Sequence, residues 1–76
     1  MDLEFTRYSA RRLQTRKVSR SEVERAIEAP DQVVDTDTAH VGYVKELGGR
    51  EWLTVIVDPN TSLLVVVTLW IDPPRR

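Results

Sequence analysis

The chain has 76 residues, with 11 lysines and arginines, 12 aspartates and glutamates, a net charge of −1 and no cysteine. This length predicts one domain, residues 1–76, and so short a chain buries only about 60% of the surface that its unfolded form exposes. The composition excludes disulfides and thiolate metal sites, and the longest apolar run, at 63–71, is too short for a membrane span, so we expect a cytoplasmic protein with no membrane contact.

The first predicted element is a helix that Thr6 caps and that runs to about Arg16. Its apolar face is narrow. On a helical wheel this face holds Ser9, Ala10 and Leu13.

A second helix is predicted from the capping box at Ser19, whose hydroxyl serves a free N–H while Glu22 reaches back to the cap. Pro30 ends this helix, because the residue before a proline avoids the helical region. Its core stripe is Val23, Ala26 and Ile27.

Four strands are predicted in the second half, at residues 32–37, 40–47, 50–58 and 62–71. The first carries acids and is expected at a sheet edge, whereas the last two are apolar on both faces and are expected in the middle. The glycines at 48 and 49 predict a tight turn. We therefore expect an α+β fold: two N-terminal helices packed on one face of a four-stranded antiparallel sheet.

This arrangement leaves one face of the sheet without helices, because two short helices can cover only the other. Side chains such as Trp52 or Leu53, and Val65 or Val66, would then meet water, a ligand or another chain. A large open apolar patch is unusual for a monomer. We expect a homodimer or a tight complex to cover it, with Trp52 and Trp70 as core or interface anchors.

Positive charge is concentrated in residues 5–20, which hold five arginines, one lysine and no carboxylate. Tyr8, Arg12 and Arg16 are spaced i, i+4, i+8 and form one ridge, which is expected to be half-buried beside the core. A desolvated arginine needs a partner. That partner is either a carboxylate, such as Glu22 or Glu46, or a phosphate.

Three stretches resemble a bacterial family, domain-of-unknown-function family 4258: FTRYSARRLQTRKVSRSEVERAIEAPDQV, GYVKELGGREWLTVIV and LLVVVTLWI. Members read Ser-x-His-Ala-x-x-Arg-Met, then Arg, then Ile-Ser, and end in a Val-Val-Thr-x-Tyr strand. The matching positions are Arg12-Leu13, Arg16, Val18-Ser19 and residues 67–70. The resemblance covers most of the chain and departs from the family at Tyr8, where the family has histidine.

The family resembles the RelE-like and colicin-type RNase toxins in fold. The resemblance therefore implies an RNase toxin-like domain, active or degenerate, that cleaves RNA without metal or cofactor and pairs with a cognate antitoxin. In such cleavage a base activates the 2′-hydroxyl, and cations stabilise the charge that develops on the phosphate. The implied roles are the base for Tyr8, phosphate cations for Arg12 and Arg16, and assistance from Lys45 and Thr68.

The alternative is a non-catalytic interaction module that forms a homodimer or binds a partner through its sheet face, with the Tyr8–Arg12–Arg16 ridge purely structural.

Lys45 shares a strand face with apolar residues, so it either extends to water or reaches a phosphate from the open face. His40, the only histidine, is expected at the surface. Its spacing from Asp35 and Asp37 matches no strong metal-ligand motif, so no metal site is predicted.

Overall fold

The described part of the protein, in a computed structural model, comprises residues 2–36, 39–59 and 63–72, with Arg50 described by its backbone alone. Within it, two helices and five strands form an α+β fold. The elements are β1 (Leu3–Phe5), α1 (Arg7–Arg16), α2 (Arg20–Glu28), β2 (Gln32–Asp35), β3 (Val41–Glu46), a short 3-10 turn (Gly48–Arg50), β4 (Trp52–Asp58) and β5 (Leu64–Asp72).

The sheet has five strands in the order β1-β5-β4-β3-β2, of which β2 to β5 form an antiparallel meander. The four predicted strands are confirmed as elements, with β2 at an edge and β4 and β5 inside. The prediction of an all-antiparallel, four-stranded sheet is wrong, because β1 adds a fifth strand parallel to β5. A run of three residues is too short for a recognisable alternating pattern, and its pairing depends on a strand far away in sequence.

The two helices carry the chain from one edge of the sheet to the other over a single face. Helix α1 packs on β1 and β5, and α2 packs on β3 and β4. The core between the layers consists of Leu3, Val18, Val23, Ala26, Ile27, Leu53, Val55, Val57, Val66 and Leu69. The predicted stripe of α2 is therefore buried as expected, and so is Ser9 of α1, whereas Ala10 is exposed and does not belong to the apolar face.

Both predicted helix caps are present. The Thr6 hydroxyl oxygen accepts a hydrogen bond from the Ser9 N–H at 3.0 Å, which starts α1. At the start of α2, the Ser19 hydroxyl oxygen accepts from the Glu22 N–H at 3.1 Å, and the Glu22 carboxylate accepts from the Ser19 N–H at 2.9 Å. These bonds satisfy N–H groups that would otherwise lack partners at a helix start.

Helix α1 ends at Lys17, whose backbone is left-handed, with φ 55° and ψ 42°. This conformation turns the chain back so that the Val18 N–H donates to the Leu13 carbonyl at 2.9 Å and the Val18 side chain is buried. Residues other than glycine pay a steric cost for such a backbone. The predicted turn at the two glycines is also confirmed, since Gly49 has φ 85° between β3 and β4.

Candidate functional site

The sheet face away from the helices is open and concave. Its central depression has a volume of about 370 Å³. The lining includes Val34, Val44, Trp52, Thr54, Ile56 and Trp70. These residues come from four adjacent strands, so the concavity is a property of the sheet rather than of one loop, and it is mostly apolar.

Gly42 of β3 forms the floor of this concavity between β2 and β4. A Cβ atom at this position would lie 3.2 Å from the Ile56 Cδ1 and 3.5 Å from the Val34 carbonyl oxygen. Neighbouring side chains therefore close over the space that a side chain would need. Sequence reasoning missed the role of Gly42, although a glycine inside an alternating strand is a signal of close approach.

Trp52 and Trp70 both belong to the open face, on β4 and β5 respectively, and both are half-buried. The indole N–H of Trp70 donates to the Asp72 carboxylate at 3.3 Å, and Asp72 pairs with Trp52 across the strands. Of the two roles expected for these tryptophans, the core role is not realised, because the buried core lies on the other face. They form the apolar surface of the open face instead.

The predicted basic ridge lies on α1, over the helix-covered face. The Cζ of Arg12 is 5.3 Å from the ring centroid of Tyr8, a cation–π contact between residues one helical turn apart. The Tyr8 side chain is nevertheless 54% exposed, and Arg16 is exposed too. The expectation of a half-buried ridge is therefore met only at Arg12.

Arg12 presents a buried donor without an acceptor. Its Nε is shielded from solvent and has no hydrogen-bond partner among the residues that the structure describes. The carboxylate of Glu22, one of the two partners considered, is engaged in the capping box of α2. The ion pairs that the described residues form are Arg20–Glu24 and Lys45–Asp31, so the ridge arginines take no part in them.

Lys45 lies on the helix-covered face of β3, in register with the buried Leu53. The expectation that it could reach a phosphate from the open face is therefore wrong. Its Nζ is 3.8 Å from the Asp31 carboxylate, which also accepts a hydrogen bond from the Glu46 N–H at 2.8 Å. A small cleft of about 140 Å³, lined in part by Glu22, runs beside Lys45.

Thr68 lies on the open face, in register with Ile56 of β4, and so on the side of the sheet opposite α1. Of the five predicted site residues, Tyr8 and Arg12 are thus in direct contact, Arg16 is two turns along the same helix, and Lys45 and Thr68 belong to different elements on different faces. Neither of the two concavities brings Lys45 or Thr68 together with Tyr8.

The sequence also directed attention to His40 together with Asp35 and Asp37. The backbone carbonyl of His40 accepts a hydrogen bond from the Thr36 hydroxyl at 2.9 Å. Asp37, the third member of the group considered with His40, lies outside the described residues. The described residues contain no cluster of three or more potential metal ligands, and none of their helices is long and apolar enough to cross a membrane.

Sequence reasoning also missed Arg20 as an anchor of the N-terminal strand. Its guanidinium donates to the Leu3 carbonyl at 3.4 Å, lies 5.9 Å from the ring centroid of Phe5, and is 3.6 Å from the Glu24 carboxylate. No pattern in the sequence indicates this contact, because β1 itself was not predicted. Arg20 therefore anchors β1, while its side chain remains 54% exposed.

No family model, curated protein or solved structure matches the chain. The resemblance to domain-of-unknown-function family 4258 and the roles it implies for Tyr8 and Arg12 therefore remain predictions.

Proposed function

We propose that this protein is a non-catalytic interaction module that binds a protein partner through the open face of its sheet. The observation that carries the proposal is the concave surface around Trp52 and Trp70, about 370 Å³ in volume and opposite the helices. Indole rings bury large areas at low conformational cost and are enriched where proteins bind each other.

The size and chemistry of the surface support the proposal. Val34 is 39% exposed and lines the same mostly apolar concavity as Ile56 and Trp52. Leaving such an area in water is unfavourable, at roughly 25 cal/mol for each Å² of apolar surface. A partner that covers it recovers this free energy. We place the interaction in the cytoplasm, because a chain without cysteine suits a reducing compartment.

Site-specific photocrosslinking tests the proposal directly. A photoreactive phenylalanine analogue replaces Trp52 on the open face or, as a control, Glu28 on the exposed side of α2. In cells that produce the protein, we expect a discrete crosslinked band from position 52 and none from position 28. The same band should disappear when Ile56→Asp places a charge in the concavity.

Circular dichroism and thermal unfolding of each variant establish that the fold is retained. Equal crosslinking from positions 52 and 28, or none from either in folded protein, would contradict an interaction through the open face.

The second candidate function is the RNase toxin-like activity, which the surroundings of Arg12 favour. A buried guanidinium N–H without an acceptor is costly, and an anion beside α1 would satisfy it once the Arg12 side chain turns its Nε outward. Arginine binds phosphate oxygens through its planar array of donors. Under this hypothesis, Arg12 and Arg16 bind an RNA phosphate, and the hydroxyl of the exposed Tyr8 takes part in proton transfer.

In the RNase candidate, only some of the site residues that the resemblance implies lie close enough to act together. Lys45 is paired with Asp31, and Thr68 faces away from α1, so the contribution of both would require a substrate that wraps around the sheet. The interaction module requires no such convergence, and for that reason we place it first.

A further inference from the structure

Building on the proposed interaction function, we infer that the open face binds a cationic amphipathic segment of another protein: an apolar stretch with lysine or arginine at both ends. Charged side chains lie at the two ends of the open face that contains the apolar concavity. Among the described residues, these charges are all of one sign.

The strand register defines which charged residues share this face. At one end, Glu46 of β3 and Asp72 of β5 flank Trp52, since both pair with it across the strands. At the other end, Glu4 of β1 and Asp58 of β4 flank Val65 in the same way. Every charged strand position on the open face within the described residues is therefore a carboxylate.

The two acidic ends are separated by the length of β4. From Trp52 to Asp58 the strand advances six residues, which corresponds to about 20 Å at 3.3 Å per residue. A helix of roughly 13 residues spans the same distance at 1.5 Å per residue. The complementary partner is thus a short segment with its basic residues one such length apart and apolar side chains between them.

A second copy of this chain fits the face poorly. When two sheets pack face to face, their strands align within about 30°. Because both ends of the face are acidic, carboxylates of one copy would oppose carboxylates of the other in either direction. Like charges brought together at an interface are unfavourable. The same carboxylates repel the phosphates of RNA, so RNA is not the expected occupant either.

A basic segment, by contrast, makes favourable contacts both at the ends of the face and in the concavity. Its lysines or arginines are attracted to the carboxylates of Glu46 and Asp72 at one end and to Glu4 and Asp58 at the other. Its apolar side chains then enter the concavity between Trp52 and Trp70. Charge selects the partner and aligns it with the strands, and apolar burial retains it.

A selection from displayed random 12-residue peptides tests the inference. The full chain is immobilised, and the Trp52→Ala variant is used for counter-selection, so that the retained peptides require the open face. We expect these peptides to carry apolar residues flanked by lysine or arginine. Their affinity, measured from the change in tryptophan fluorescence, should fall as sodium chloride is raised from 0.05 to 0.5 M.

Charge reversal provides the second readout. Glu46→Lys and Asp72→Lys should each weaken binding of a selected peptide by about threefold to tenfold, whereas Glu28→Lys, on α2, should change it by less than about twofold. Glu46 and Glu28 are both exposed, so their substitutions are matched in charge change and in exposure.

The possible results separate the inference from the proposed function on which it rests. Neutral or acidic peptides that still need Trp52 would overturn the cationic partner and leave the interaction face intact. If sedimentation equilibrium instead shows a dimer that Ile56→Asp converts to a monomer, a second copy occupies the open face. This result would also overturn the cationic partner and leave the interaction face intact. No peptide that depends on Trp52 or Ile56, combined with a monomeric parent, would overturn both.

Discussion

The hydroxyl of Ser9 donates a hydrogen bond to the backbone carbonyl of Val66, 2.7 Å away and 57 residues later in the chain. Ser9 is fully buried, and its hydroxyl lies at the start of α1, beside the irregular register between β4 and β5. The neighbouring Thr6 N–H also donates to Val66, at 3.4 Å. This contact joins the first helix to β5, an inner strand of the sheet.

The first prediction concerns that hydrogen bond. Ser9→Ala should lower the free energy of unfolding by about 1–2 kcal/mol, because it removes a donor from a buried acceptor. The exposed Ser21 of α2 offers a matched control, and Ser21→Ala should stay within about 0.5 kcal/mol of the parent. Urea unfolding followed by circular dichroism measures both. Equal effects of the two substitutions would show that the Ser9 hydroxyl contributes nothing specific.

The second prediction concerns the end of α1. Lys17→Gly should raise the free energy of unfolding by about 0.5–1 kcal/mol, because glycine adopts the left-handed backbone of this position at little steric cost. For a domain of this size, 1 kcal/mol corresponds to about 4–8 °C in the melting temperature. Differential scanning calorimetry gives the measurement. A lower melting temperature would mean that the Lys17 side chain contributes more than its backbone costs.

The third prediction concerns Arg12. Arg12→Met keeps an unbranched apolar stem and removes the guanidinium with its buried Nε, so stability should rise by about 1 kcal/mol when no anion is bound. Arg11 is exposed on the same helix, and Arg11→Met should have little effect. Chemical unfolding in low and high phosphate distinguishes the two variants. Loss of stability in Arg12→Met would show that the stacking on Tyr8 outweighs the unpaired donor.

The fourth prediction separates the RNase activity from the interaction module. Tyr8→His introduces an imidazole, whose reference pKa of about 6.5 makes it a usable base at neutral pH. If the RNase candidate holds, cleavage of a fluorescent RNA in chelator should match or exceed that of the parent and decline below the histidine pKa. The assay covers pH 5 to 9. Two folded proteins without cleavage would leave the interaction module as the remaining function.

Most of the fold was predictable because its signals are local. The capping box of Ser19 and Glu22, the apolar stripe of α2, and the turn at Gly49 each depend on residues within a few positions of one another. Strand β1 was not predictable in this way. Its three residues acquire their conformation from pairing with β5, an interaction between the two halves of the sequence.

The candidate site was less accessible to sequence reasoning, for a related reason. Helical spacing correctly placed Tyr8 and Arg12 together, because both lie on one helix. It could not show that Thr68 faces the opposite side of the sheet, since that depends on the register of β5 and on its irregular pairing with β4. The depression at Gly42 likewise exists only after β2 and β4 flank it.

The parallel pairing of β1 with β5 has a consequence for the order of events during synthesis. Strand β1 leaves the ribosome before β5, at Leu64–Asp72, and finds its neighbour only after β5 has emerged. Until then α1 lacks the strand to which Ser9 binds, and the apolar side chains of this helix that pack on β5 stay uncovered. Contacts so distant in sequence slow folding, because a long loop must close before they form. The nascent domain therefore remains an incomplete fold until β5 emerges, a period in which chaperone binding is favoured.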